Sequence, residues 1–243
     1  MPLLLAYLRR LLMARYDVLL FDLDDTLLDF GVAEKSALKR AFESVGLHYD
    51  ADKHLPLYQH HNKAAWHAFE TGEIDLETLK TRRFVDFCDS VSPALDADLF
   101  RRFFVMYLGE SAHSIQGAAR VVQALSKRYR LAVITNGLKE VQRSRLKRWE
   151  LSVHFPVVVI SDEIGAKKPD AEFFDHTLRS MGNPDKQKCL IIGDSLTSDI
   201  QGGANAGIET CWFNPQAKKN EGGPIPTYEI KDLKELTGLL LEA

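Results

Sequence analysis

The apolar and polar positions divide the chain into three stretches. The run at 18–21, Val-Leu-Leu-Phe, is short, apolar and β-favouring, and Asp22-Leu23-Asp24-Asp25-Thr26 breaks it. It predicts a first buried strand with carboxylates at its carboxyl end. From Asp29 to about Ser114 the spacing turns helical and glycine is nearly absent. Helices are predicted at 33–45, stopping at Gly46; at 55–70, stopping at Gly72; from Asp75 or Glu77 to Cys88, before Pro93; and at 96–108, closing at Gly109. No strand interrupts them, so 30–114 reads as a separate helical bundle.

From Gly117 onward strands and helices alternate, the pattern of a parallel sheet with crossover helices. Strands are predicted at 131–135, 157–161, 189–193 and 209–213, with 228–230 as an edge strand. Helices are predicted at 119–128, 138–149, 172–181 and 198–206, with a closing helix from Ile230 or Lys231 to Leu241. A loop rich in Lys, Gly and Pro fills 218–226. The fold class is therefore α/β: residues 15–29 and 115–243 form one core domain, into which the bundle at 30–114 is inserted.

Length and charge narrow the partners. A chain of 243 residues buries a substantial core, and a net charge of -3 leaves no electrostatic footprint for a nucleic acid polymer or an anionic membrane. Cys88, Cys189 and Cys211 lie scattered in apolar contexts without disulfide or zinc spacing, so they read as buried free thiols of a cytoplasmic protein. Residues 1–14 are leucine-rich, but Arg9 and Arg10 interrupt them and the run is too short to span a bilayer. Leu4, Leu5, Leu8, Leu11 and Leu12 would share one face of a short amphipathic helix. The stronger expectation is an N-terminal extension without a role of its own, with translation starting at Met13.

The candidate chemistry lies at the strand ends. Asp22 and Asp24 stand two positions apart, and like charges this close need a cation between them. A divalent metal would serve. So placed, Asp22 can attack phosphorus to form an aspartyl-phosphate while Asp24 donates and then removes a proton. The same residues also fit a helix N-cap cluster. The second sheet strand ends in Thr135-Asn136-Gly137, whose hydroxyl and backbone N–H groups could hold a phosphate oxygen or simply make a turn and cap. Lys167 and Lys168 follow the third strand, where a lysine could neutralise the acidic cluster and a transferring phosphoryl group, or remain solvated surface. Asp194 and Asp199 follow the fourth. Asp194 is placed for a hard cation opposite Asp22, as Mg²⁺ would be, and Asp199 for orienting its neighbours. Gly202, Gly203 and Gly207 would let the next helix pack close to the sheet or turn sharply after it. Four strand ends carrying Asp, Thr, Lys and Asp together describe metal-assisted phosphoryl transfer.

With these four elements the chain resembles the haloacid dehalogenase (HAD) superfamily phosphatases from Asp17 to its C-terminus. The resemblance implies a Rossmann-like parallel sheet with helices on both faces and a helical cap at 30–114 that selects substrates. It implies Asp22 as nucleophile, Asp24 as general acid and base, and Thr135, Asn136 and Lys168 at the phosphate. It further implies Mg²⁺ held by the Asp22 side chain, the Asp24 carbonyl and Asp194, with Asp199 behind them. The run from Phe21 to Leu27, Arg82-Arg83-Phe84, the run from Gly165 to Asp170, and Gly182-Asn183-Pro184-Asp185 narrow the match, as do 193–200 and 207–214. Together they are similar to the bacterial pyrimidine 5'-nucleotidases of the YjjG type. Asp25 departs from the glycine commoner at that position in the superfamily.

The expected substrate is thus a small phosphomonoester, a nucleoside 5'-monophosphate, for a monomer or homodimer. Sugar phosphates or phosphoglycolate, a phosphomutase reaction, and a phospho-accepting regulator without turnover are the alternatives. Halide displacement is disfavoured, because it has no need of a proton donor at Asp24. In the cap, Arg82, Arg83, Trp66 and Phe69 could face a base or ribose, although the i, i+3 spacing of the two aromatics equally suits a packing stripe.

Overall fold

The computed structural model describes residues 15–241. The expectations for residues 1–14 lie outside the described residues. The described chain divides into two compact units. The first takes the described residues up to Asp29, His113–Gln142 and the chain from Trp149 onward; the second takes Phe30–Ala112 and Arg143–Arg148.

The first unit is built on a six-stranded sheet: β1 (Val18–Phe21), β2 (Arg130–Thr135), β3 (Val157–Ile160), β4 (Cys189–Gly193), β5 (Glu209–Phe213) and β6 (Tyr228–Ile230). Its order is β3-β2-β1-β4-β5-β6 and every pairing is parallel. Strands covered on both faces need apolar residues throughout, and β1 and β4 are buried at every position. Val18, Leu20, Ile134, Val159 and Ile191 pack with Phe173, Phe174 and Leu178 in one core cluster. Each such side chain contributes about 1.5–3 kcal/mol by leaving water. The order reverses at β1, since β2 and β3 lie to one side and β4, β5 and β6 to the other. In open α/β sheets the crevice beyond the strand ends at such a switch point is where ligands bind.

The second unit contains α1 (Phe30–Ser44), α2 (Ala51–Glu70), α3 (Leu76–Val91) and α4 (Ala97–Glu110). Aromatic side chains form its interior: Tyr58 and Phe104 have ring centroids 4.8 Å apart, Phe42 and Phe100 5.3 Å, and Tyr58 and Phe87 5.4 Å. Asp50, Asp75 and Asp96 cap α2, α3 and α4 by accepting from first-turn backbone N–H groups. The Asp50 cap starts α2 four residues before the predicted Leu55, with Pro56 inside the helix. Helix α4 runs through Gly109, which is buried, and ends at Glu110.

The crossovers of the first unit supply α5 (Ala118–Leu125), α6 (Lys139–Arg148), α7 (Ser161–Ile164), α8 (Ala171–Ser180), α9 (Gln201–Ala206) and α10 (Glu235–Leu241), with α6 divided between the units after Gln142. The predicted helix at 198–206 is instead a wide π turn, Leu196–Ile200, leading into α9. The closing helix begins at Glu235, later than predicted, because the Glu235 carboxylate accepts from the N–H groups of Lys231 and Asp232 and caps a turn there. All three cysteines are free and buried. Among the described residues no helix is long and apolar enough to cross a membrane.

Candidate active site

Sheet register gathers the strand-end residues of the first unit. Phe21 is level with Val133 on one side and Ile192 on the other, and the Asp22 N–H donates to the Ile192 carbonyl over 2.9 Å. Asp22 therefore stands between the ends of β2 and β4. A tight turn follows, with the Asp25 N–H on the Leu28 carbonyl at 2.8 Å, and Asp25 takes the left-handed backbone (φ 58°). Glycine meets that conformation without a Cβ penalty, which accounts for the commoner residue at this point of the motif.

Lys168 is the centre of charge. Its ammonium donates to Asp22 Oδ1 at 2.6 Å, to Asp199 Oδ1 at 2.7 Å and to the Ile134 carbonyl at 3.2 Å, and the residue is only 2% exposed. The two carboxylates outweigh burial and hold the ammonium protonated well above its ordinary range. Asp199 is completely buried, and its second oxygen accepts from the Ser195 N–H at 3.1 Å. The π turn brings it there, since the N–H groups of Asp199 and Ile200 both reach the Ser195 carbonyl. Gly193 leaves the space, because a Cβ at that position would overlap the Asp199 carboxylate.

Asp194 lies half-buried beyond β4, its main chain held by the Trp212 indole N–H on its carbonyl at 2.9 Å. Burial pushes its carboxyl up to about 7, with further upward contributions from the Asp199 and Asp25 charges. Asp22 is likewise raised well above the carboxylate range, first by burial, against the opposing pull of Lys168. One oxygen each from Asp22, Asp194 and Asp199 lies within 4.8 Å of the others. Three carboxylates around one ammonium leave negative charge uncompensated, and an all-oxygen donor set of this kind fits a hard divalent cation. Asp199 is engaged through both oxygens, so the side chains that fit as ligands are the Asp22 and Asp194 carboxylates.

Thr135 Oγ1 accepts from the Gly137 N–H at 3.1 Å and from Gln142 Nε2 at 2.9 Å. The Asn136 amide is spent on the Lys168 main chain, donating to its carbonyl at 2.8 Å and accepting from its N–H at 2.9 Å. Its side chain therefore clasps the lysine loop.

Gln142 was not among the residues singled out in the sequence. Its Nε2 donates to Asp24 Oδ2 at 2.6 Å as well as to Thr135, and it is 1% exposed. Local pattern carries little signal for it: Leu138, Val141, Leu146 and Trp149 are buried around it, but the same face also buries Arg145 completely, so the stripe is not an apolar one. A buried polar residue needs a partner.

In the second unit Arg83 is buried, its Nη1 donating to Asn62 Oδ1 at 2.7 Å; Asn62 Nδ2 donates to Glu34 Oε1 at 3.4 Å and Gln59 Nε2 to Glu34 Oε2 at 2.8 Å. Arg82 instead lies at the surface beside Asp86 at 3.5 Å. Trp66 and Phe69 meet edge to face at 6.0 Å and are half-buried, so neither belongs to the aromatic interior.

The haloacid dehalogenase-like hydrolase family matches residues 19–213. The HAD-hydrolase YfnB of Bacillus subtilis is 36% identical, over 94% of this chain and 97% of its own. The pyrimidine 5'-nucleotidases PynA of Streptococcus pneumoniae and YjjG of Escherichia coli are 36% and 32% identical, each over 93% of this chain and 95% and 98% of their own. The crystal structure of YfnB bound to magnesium matches with a TM-score of 0.87 over 93% of this chain and 99% of that one. By fold, strand-end residues and relatives of this similarity, the chain belongs to the haloacid dehalogenase-like hydrolase family.

Proposed function

We propose that this hydrolase cleaves small phosphomonoesters through an aspartyl-phosphate on Asp22, and that its substrates are nucleoside 5'-monophosphates with a pyrimidine base. The observation that carries the chemistry is the buried ammonium of Lys168 between Asp22 and Asp199, at 2.6 and 2.7 Å, with Asp24 two residues after Asp22. An isolated structural ion pair would not need a second, half-buried carboxylate two residues from the first.

In the first step an Asp22 oxygen attacks phosphorus, the ester P–O bond breaks, and Asp24 passes its proton to the departing alcohol oxygen. In the second, water attacks the aspartyl-phosphate, Asp24 takes the water proton, and inorganic phosphate leaves Asp22 as a carboxylate. The Thr135 hydroxyl, the Asn136 backbone N–H and Lys168 face the charge of the transferring group, which is where fixed donors contribute most. Mg²⁺, held by Asp22, the Asp24 carbonyl and Asp194, would neutralise the phosphoryl oxygens and lower the repulsion on Asp22. The nucleotide assignment is supported by PynA and YjjG, and the buried free thiols suit a reducing, cytoplasmic setting.

Phosphate release is the test, from nucleoside monophosphates, sugar phosphates and phosphoglycolate, with Mg²⁺ and with chelator. Repeated metal-dependent turnover concentrated on UMP-like and dTMP-like esters is expected. Turnover spread over sugar phosphates keeps the chemistry and discards the nucleotide assignment, and a single turnover per chain discards the hydrolase in favour of a phospho-accepting regulator.

A further inference from the structure

We infer that Gln142 is a positioning residue that orients both the proton carrier and the phosphate-binding hydroxyl through one amide nitrogen; the inference rests on the reading of Asp24 as general acid and base. The two N–H bonds of Nε2 are directed to two acceptors, Asp24 Oδ2 at 2.6 Å and Thr135 Oγ1 at 2.9 Å. Only the nitrogen end of the amide can face a carboxylate, so the polarity of the side chain is fixed by Asp24.

A consequence follows for the phosphate-binding hydroxyl. At Thr135 both lone pairs of the hydroxyl are filled, by Gly137 N–H and by Gln142, which leaves its own O–H to donate to a phosphoryl oxygen. Gln142 thereby makes Thr135 a donor rather than an acceptor toward an anion.

The packing is specific to this arrangement. Gln142 is almost wholly buried on the face of α6 that also buries Val141 and Arg145, and a Cβ on Gly137 would overlap its amide. Glycine at 137 thus serves the close approach of Gln142 as well as the turn.

The test separates positioning from mere packing by the leaving group. Aryl phosphates such as p-nitrophenyl phosphate expel a stable phenolate and have little need of a proton; alkyl phosphates such as nucleoside 5'-monophosphates expel an alkoxide and depend on Asp24. Gln142→Met keeps the shape and removes the donor, and Gln142→Asn keeps the amide but withdraws it by a methylene. Each is expected to lower kcat/KM on the alkyl ester by about ten- to a hundredfold, the cost of a hydrogen bond to a charged group, and on the aryl ester by much less. Asp24→Asn should show the same selectivity more strongly, and adding Gln142→Met to it should change little on the alkyl ester.

Equal losses on both esters, no loss on the alkyl ester, or full additivity with Asp24→Asn overturns the inference. Should one variant fail to fold, the other and Gly137→Ala, which displaces the same amide, give the same readout. Failure of the underlying reading shows separately, as a normal alkyl rate in Asp24→Asn. A wild-type enzyme that spares nucleotides but cleaves a sugar phosphate changes the alkyl ester used and leaves the comparison intact.

Discussion

Lys168→Met removes the single ammonium that Asp22 and Asp199 share and puts a chain of similar length in its place. Both ion pairs are buried, with side-chain exposures of 2% and 9% for Lys168 and Asp22 and 2% and 0% for Lys168 and Asp199. Breaking a buried pair from one side costs about 3–5 kcal/mol, because the other charge stays out of water without a partner. At about 2–4 °C per kcal/mol for a chain of this size, the melting temperature should fall by roughly 6–20 °C. A surface pair sets the scale for comparison: Lys186 and Asp175 are 3.2 Å apart but 45% and 48% exposed. Lys186→Met should therefore cost no more than about 1 kcal/mol. Urea unfolding of both variants in chelator measures the difference. Adding Asp199→Asn to Lys168→Met should restore part of the loss, since it removes one of the uncompensated carboxylates. A loss below about 1 kcal/mol for Lys168→Met, at an unchanged denaturant slope, refutes the assignment of Lys168 as the compensating charge.

Three further outcomes are expected. Asp22→Asn should abolish phosphate release in a chain that still folds, and Asp24→Asn should lose about a hundred- to ten-thousandfold; single-turnover kinetics with near-normal rates in either would remove its catalytic role. Without metal, Asp194 keeps its proton up to about pH 7 in the native state, whereas the unfolded chain loses it near the ordinary carboxylate value of 3.8. The native state binds more protons across that window, so stability falls as pH rises through it and levels off above; Mg²⁺ should then raise the melting temperature more above the window than within it, and a gain independent of pH would contradict this. Gly203→Ala places a methyl group on Thr210 Cγ2 and 3.0 Å from the Ile208 carbonyl, so it should destabilise by about 1–3 kcal/mol in urea titrations; an unchanged midpoint would mean that α9 can lift from the sheet at no cost.

The sequence by itself determined the elements and the edge at which the chemistry lies. Cys189–Gly193 and Glu209–Phe213 form strands where their apolar runs predict them, and Asp22, Thr135 and Asp194 close strands because polar residues end a buried run. Such signals are local, and periodicity reports which positions leave water. It does not report what they meet. That β1 lies between β2 and β4 is a property of the assembled sheet, and so is the meeting of Lys168 with Asp22 across 146 residues of chain. The π turn that carries Asp199 inward, the use of the Asn136 side chain on the Lys168 loop, and the bond from Arg83 to Asn62 were equally beyond local pattern. Gln142 shows the boundary most sharply. It lies on a helix that also buries Arg145, so no apolar stripe marked it out, and its partners are Asp24, 118 positions earlier, and Thr135, on the preceding strand. Only the packing of α6 against the strand ends brings one amide within reach of both, because hydrogen bonds act over about 3 Å and the chain reaches that distance only through its tertiary fold.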